Sequence, residues 1–131
     1  MSKYLVFEDF VFKDRRLLLA ALAELGYPDV DEGDSLPLFG YQGDQRPETA
    51  QLVVRRRHLG AGSNDLGFAR AAQGYVPILS EYDQRVLHSG QFLVRLRTAY
   101  SERVVEEVRR RLHGTMRRTV EGDRITVTVR F

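Results

Sequence analysis

The chain of 131 residues contains neither cysteine nor tryptophan. Without thiols, disulfide bridges, thiolate zinc sites and cysteine nucleophiles are excluded, which fits a reducing compartment. Lysine is scarce, occurring only as Lys3 and Lys13, so arginine carries the positive charge. No apolar run approaches the ~18 residues of a membrane-spanning helix. The richest, Leu17 to Leu25, contains Glu24. The opening segment, Met1 to Phe10, carries Glu8 and Asp9 and has no basic region ahead of an apolar one, so it does not read as a secretory signal. A cytoplasmic protein with no membrane partner is the expectation.

What is present suffices for a single domain over residues 1–131. A chain of this size buries roughly two thirds of the surface its unfolded form exposes, enough for a core without staples. The formal charge of +2 is unevenly spread. Residues 1–54 hold 5 basic and 10 acidic groups, a net of −5, whereas residues 55–131 hold 15 basic and 8 acidic groups, a net of +7. Such asymmetry belongs either to a dipolar solvated surface or to an interacting face.

The clearest pattern lies in the last 42 residues. Leu96, Tyr100, Val104, Val108 and Leu112 recur every four positions, with Val105 widening the stripe, so a long amphipathic helix is expected. Gly114 suits a helix C-cap. Ile125, Val127, Val129 and Phe131 then alternate with polar residues, the period of a half-buried strand. Near the start, Tyr4 to Val11 reads as a strand, and Asp14 caps a helix whose apolar face is Leu17, Leu18, Ala21, Leu22 and Leu25. Gly26 ends that helix and Pro28 prevents re-entry. At most a brief edge strand is expected around Val30. Leu36 to Glu48, broken by Pro37, Gly40, Gly43 and Pro47, reads as a loop. Gln51 to Arg56 is a strand, and His58 to Asn64 a turn. Leu66 to Arg70 and Tyr75 to Leu79 form a hairpin around Ala72 to Gly74. Tyr82 to His88 leads into the long helix. Consecutive strands with short connections predict an α+β fold, a mainly antiparallel sheet with two principal helices on one face, ferredoxin-like at its ends.

Several motifs invite chemistry and fall short of it. Gly60, Gly62 and Gly67 do not complete a dinucleotide or P-loop spacing, and Asn64-Asp65 precedes a strand rather than a helix. Asp65 is expected to shape its turn and Phe68 to enter the core. Asp29, Asp31, Glu32 and Asp34 lack the ligand spacing of a calcium loop, with Gly33 one place early. His58, His88 and His113 include no i, i+4 pair. Neither metal nor cofactor is expected. Ser80 or Ser89, His88 and Asp83 are the residue types of a hydrolytic triad, but no nucleophile elbow surrounds either serine, so no catalytic residue is assigned.

The order of short motifs resembles the hypothetical chloroplast reading frame 35 family, a domain of unknown function in plastids, cyanobacteria and other bacteria. Met1-Ser2-Lys3-Tyr4, Lys13-Asp14 and the helix end at Gly26-Tyr27 are similar to its opening. Gly40-Tyr41-Gln42-Gly43 resembles its Gly-Tyr-x-Gly loop, Leu52-Val53-Val54-Arg55 its Leu-Val-Ile-Arg strand, and Asp65-Leu66-Gly67-Phe68 its Asp-Ile-Gly-Phe motif. Gly74-Tyr75, Glu81-Tyr82-Asp83, Ala99-Tyr100, Val104 and Glu106-Glu107 follow in the family's order. Gln51, Thr98 and Pro77 depart from its usual residues, as does the missing tryptophan. The resemblance implies no enzyme activity. It marks Tyr41, Asp65, Gly67, Phe68, Tyr75 and Tyr100 as motif positions of unknown role. Because some members occur beside genes for AAA-type ATPases, it also implies an accessory role.

Arginine offers the best binding candidates, since its planar fork matches phosphate and carboxylate. Arg109, Arg110, Arg111, Arg117 and Arg118 flank the end of the long helix and the strand after it, and Arg55, Arg56 and Arg57 are consecutive on another strand. Glu106–Arg110 and Glu107–Arg111 have the favourable i, i+4 order, so part of this charge is expected to be spent within the helix. The leading expectation is a non-enzymatic accessory or interaction domain with another protein as partner. The alternative is a nucleic-acid-binding module using the C-terminal arginine cluster.

Overall fold

The computed structural model describes residues 2–119, with side chains as far as His113. Local signals set several of its elements. Asp14 Oδ1 accepts the Leu17 N–H at 3.1 Å and starts α1 (Arg15–Glu24). Gly26, at φ +102°, takes the left-handed conformation that stops it. Strands β4 (Leu66–Ala71) and β5 (Gly74–Ser80) form the expected hairpin. Ser80 caps α2 (Glu81–Val86), and a tight turn over Leu87–Gly90 leads into α3 (Phe92–Thr119). In that turn His88 and Ser89 both hold left-handed backbone, at φ 49° and 55°.

Four expectations are corrected. Tyr4 to Val11 is a strand only over β1 (Tyr4–Val6); Phe12 later makes an isolated bridge to Tyr75. Leu36 to Glu48 is not a loop, and the brief strand expected near Val30 is far longer. Strands β2 (Asp31–Phe39) and β3 (Gln45–Val54) form a long hairpin. Proline is tolerated because β2 is an edge strand, and because β4 meets β3 only through Leu52, Val53 and Val54, leaving Pro47 beyond that ladder. The register slips between Glu32 and Leu36 and between Pro37 and Phe39. Finally, α3 passes through Gly114 instead of ending there. An isolated glycine costs only about 1 kcal/mol in a helix interior, and Arg111, Leu112, Met116 and Arg117, two to three positions away, are good helix formers. The alternating segment Ile125 to Phe131 lies outside the described residues.

All strand pairings are antiparallel, in the order β1-β5-β4-β3-β2. Pro77 sits inside β5 without breaking it. Its carbonyl accepts from Phe7 N–H at 2.9 Å, so its donor-free side points away from β4. The helices cover one face, where Leu18 and Leu22 of α1, Leu52, Phe68 and Leu79 of the sheet, and Phe92 and Leu96 of α3 share one core. Phe12 meets Phe68 and Tyr100 edge-on within it.

The helix-free face is closed by the β2–β3 hairpin, which curls across it. Leu38 and Ala50 from the hairpin join Tyr4, Val53 and Ile78 in a second buried cluster. Arg46 of β3 reaches the opposite edge of the sheet, donating to Ser2 O and standing 5.2 Å above the Tyr4 ring. Gly67 lies under this crossing. A Cβ there would approach Ala50 Cβ to 2.8 Å and the Leu38 methyls to 3.2 Å.

Candidate functional site

Polar side chains are buried together at one end of the sheet, where the turn after β2, the loop before β4 and the start of α2 meet. Ser63, Asn64, Asp65, Ser80 and Asp83 are all nearly inaccessible. Such groups require partners. Asp65 Oδ2 accepts from Phe39 N–H at 2.9 Å and Arg55 Nη1 at 2.8 Å, and Oδ1 accepts from Arg56 N–H at 2.8 Å. Its carbonyl accepts the Tyr4 hydroxyl at 2.7 Å. Burial, then the Asp65 charge, raises the Tyr4 phenol above its ordinary range. Asn64 donates its backbone N–H to Asp83 Oδ2 and its side-chain amide to Ser80 Oγ, both at 2.9 Å, and accepts from Tyr41 N–H. Ser80 Oγ also donates to Asp83 Oδ2 at 2.7 Å.

These contacts dispose of the triad. Ser80 is a helix cap whose hydroxyl is already committed to Asp83. His88 engages Tyr27 through Nε2 at 2.9 Å and Arg95 through Nδ1 at 3.2 Å. Burial and then Arg95 lower its pKa, which favours the neutral ring. Ser89 is exposed in the adjoining left-handed turn. The acidic run belongs to the hairpin: Asp31 pairs with Arg55 at 2.8 Å and Glu32 with Arg15 at 3.0 Å. Among the described residues no group of three histidine or carboxylate side chains is close enough to hold a metal ion.

The motif positions have diverse surroundings. Tyr41 is exposed at the hairpin turn, Phe68 and Tyr75 are in the core, and Gly67 is the crossing point of the hairpin. Tyr100 accepts Asp14 N–H through its hydroxyl at 3.0 Å, tying α3 to the start of α1. Arg55 lies just past β3, clamped by Asp31, Asp65 and Pro37 O, whereas Arg56 and Arg57 occupy the tight turn Arg56–His58 rather than a strand. Arg109 and Arg110 are exposed and paired with Glu106, and Arg111 with Glu107. The side chains of Arg117 and Arg118 lie outside the described residues.

Asn64, Tyr82 and Arg85, which no sequence motif marks for binding, stand at this end of the sheet with Arg56, Ser80 and Asp83. One signal was present: Ser80-x-x-Asp83 ahead of a helix is the pattern of a capping box. The gathering of these residues depends on contacts between distant segments and has no local signature.

A second surface is set by α3. At 3.6 residues per turn, each four-residue step overshoots a full turn by about 40°, so the stripe from Leu96 to Leu112 winds about 160° around the axis. Leu96 is fully buried, Tyr100 to Leu112 are half-buried, and Val105 is 46% exposed. Arg16 in the first turn of α1 pairs with Glu107, so the later residues of α3 run on beyond it. The widening residue, Val105, therefore lies outside the core that the start of the stripe enters.

No curated protein and no solved structure matches this chain. One family model does, aligning with residues 21–124, from the middle of α1 through the site and α3. The chain thus belongs to the family described as "Protein of unknown function (DUF1257)".

Proposed function

We propose that this protein is a non-enzymatic accessory domain that binds another protein through the distal half of α3. The supporting observation is the winding of the apolar stripe away from the core. It leaves Val105 exposed and Val104, Val108 and Leu112 only half-covered. The Glu106 and Glu107 ion pairs with Arg109, Arg110 and Arg111 border it. An apolar centre with a charged rim is the anatomy of a protein interface. The order of its motifs, which resembles that of the chloroplast reading frame 35 family, supports this reading, and the proposed partner is an AAA-type ATPase of the same cytoplasm. The test is co-purification from the native host, with benzoylphenylalanine in place of Val105 for photocrosslinking. An ATPase crosslinked at that position and lost with Val105→Asp supports the proposal. A complex that survives both Val105→Asp and Val108→Asp, or the absence of any stoichiometric partner, overturns it.

A further inference from the structure

Two clefts flank the buried polar cluster, one on each side of the Gly60–Asn64 loop and the Gly40–Gly43 turn. The first, about 470 Å³, is bordered by Arg55, Arg56, Arg57 and Asp65. The second, about 420 Å³, is bordered by Tyr41, Tyr82, Arg85 and Glu81. Four guanidinium groups therefore face two carboxylates across the pair. The Asp65 carboxylate is already committed to Arg55 and two backbone amides. Arg56, Arg57 and Arg85 meet no carboxylate among the described residues, in contrast to Arg109 and Arg110, which Glu106 holds. Beside this unspent charge stand two aromatic rings from distant parts of the chain. Tyr41 is 39% exposed, and Tyr82 lies against Gly62, where a Cβ would come within 2.8 Å of its hydroxyl. Arginines beside aromatic rings at the surface are what a single nucleic-acid strand needs: charge for the phosphates and platforms for the bases.

We propose that single-stranded nucleic acid binds across this end of the sheet, its phosphates on Arg56, Arg57 and Arg85 and its bases stacked on Tyr41 and Tyr82. An acidic peptide would use the arginines but gain little from the rings. The surface is separate from the distal half of α3, so this inference stands or falls independently of the protein partner.

Fluorescence anisotropy of the full chain with labelled single-stranded DNA and RNA 12-mers, from 20 to 200 mM KCl, tests it. With three phosphate contacts, log affinity falls against log salt with a slope of about −2. Arg57→Ala/Arg85→Ala flattens that slope to about −0.7. Tyr41→Ala weakens binding by roughly 5- to 100-fold through lost stacking. All three substituted residues are exposed, so the variants retain the fold, which a thermal melt verifies. Arg110→Ala leaves affinity within about twofold, its charge being spent on Glu106. Absence of binding at 20 mM KCl overturns the proposal, as does duplex binding as tight as the single strand. So would full affinity in Tyr41→Ala, a loss in Arg110→Ala equal to that in Arg57→Ala/Arg85→Ala, or displacement by polyglutamate as effective as by unlabelled strand.

Discussion

Asp65 is the residue on which the sheet end turns, and Asp65→Asn is the perturbation that isolates its charge. The substitution preserves shape and one acceptor oxygen. The best amide orientation keeps that oxygen at the Oδ2 position, facing Phe39 N–H and Arg55, and turns the NH₂ toward Arg56 N–H. Two donors then oppose each other in a site 2% exposed. One orphaned buried amide costs about 1–3 kcal/mol. Breaking a buried ion pair costs about 3–5 kcal/mol, reduced here because Arg55 retains Asp31. These contributions overlap, and the expected loss is about 3 kcal/mol. For a chain of this length that lowers Tm by roughly 12 °C. Asp31→Asn is the internal control: its side chain is 50% exposed, and loss of the same guanidinium contact should cost ~0–1 kcal/mol. Urea unfolding followed by far-UV circular dichroism is the assay, since the chain has no tryptophan. A loss below about 1 kcal/mol for Asp65→Asn, or one no larger than for Asp31→Asn, refutes the claim that this carboxylate organises the site.

Gly67→Ala should destabilise by about 1–3 kcal/mol through overpacking, because its Cβ would stand 2.8 Å from Ala50 Cβ beneath the curled hairpin. An unchanged urea midpoint would show that the crossing yields freely. For Tyr4, the raised folded-state pKa means that its contribution to stability is complete below the unfolded phenol's pKa of about 10 and is lost as pH rises beyond it. Unfolding curves between pH 8 and 11 should therefore show wild-type stability falling above pH 10, with a shallower fall in Tyr4→Phe. Parallel curves for the two proteins would contradict this.

The residues show clearly where the legible part of the fold ends. Asp14, the Leu17–Leu22 face and Gly26 define α1 through contacts no more than four or five positions apart, and α1 forms as read. The β4–β5 hairpin and the Ser80 cap are equally local. Gly114 shows the limit of such rules: it suits a helix end, but its cost is small beside that of breaking a helix among good helix formers. The same local reading made Leu36 to Glu48 a loop. Its prolines and glycines are breaks by local rules, whereas the edge position of β2 and the free flank of β3 let the strands accept them.

The sequence by itself determined the α+β class, the antiparallel hairpins and the amphipathic start of α3, because period, caps and turns are properties of near neighbours. Only the tertiary structure decided how the helix-free face is closed, since Leu38 and Ala50 meet Gly67 across 29 and 17 positions of chain. It also decided that Asp65 accepts from Phe39 and Arg55, and that Tyr41, Tyr82, Arg56 and Arg85 share one end of the sheet. Charge and ring type were visible in each residue alone. Which charges are neutralised inside the chain and which remain facing solvent depends on the partners that folding brings beside them.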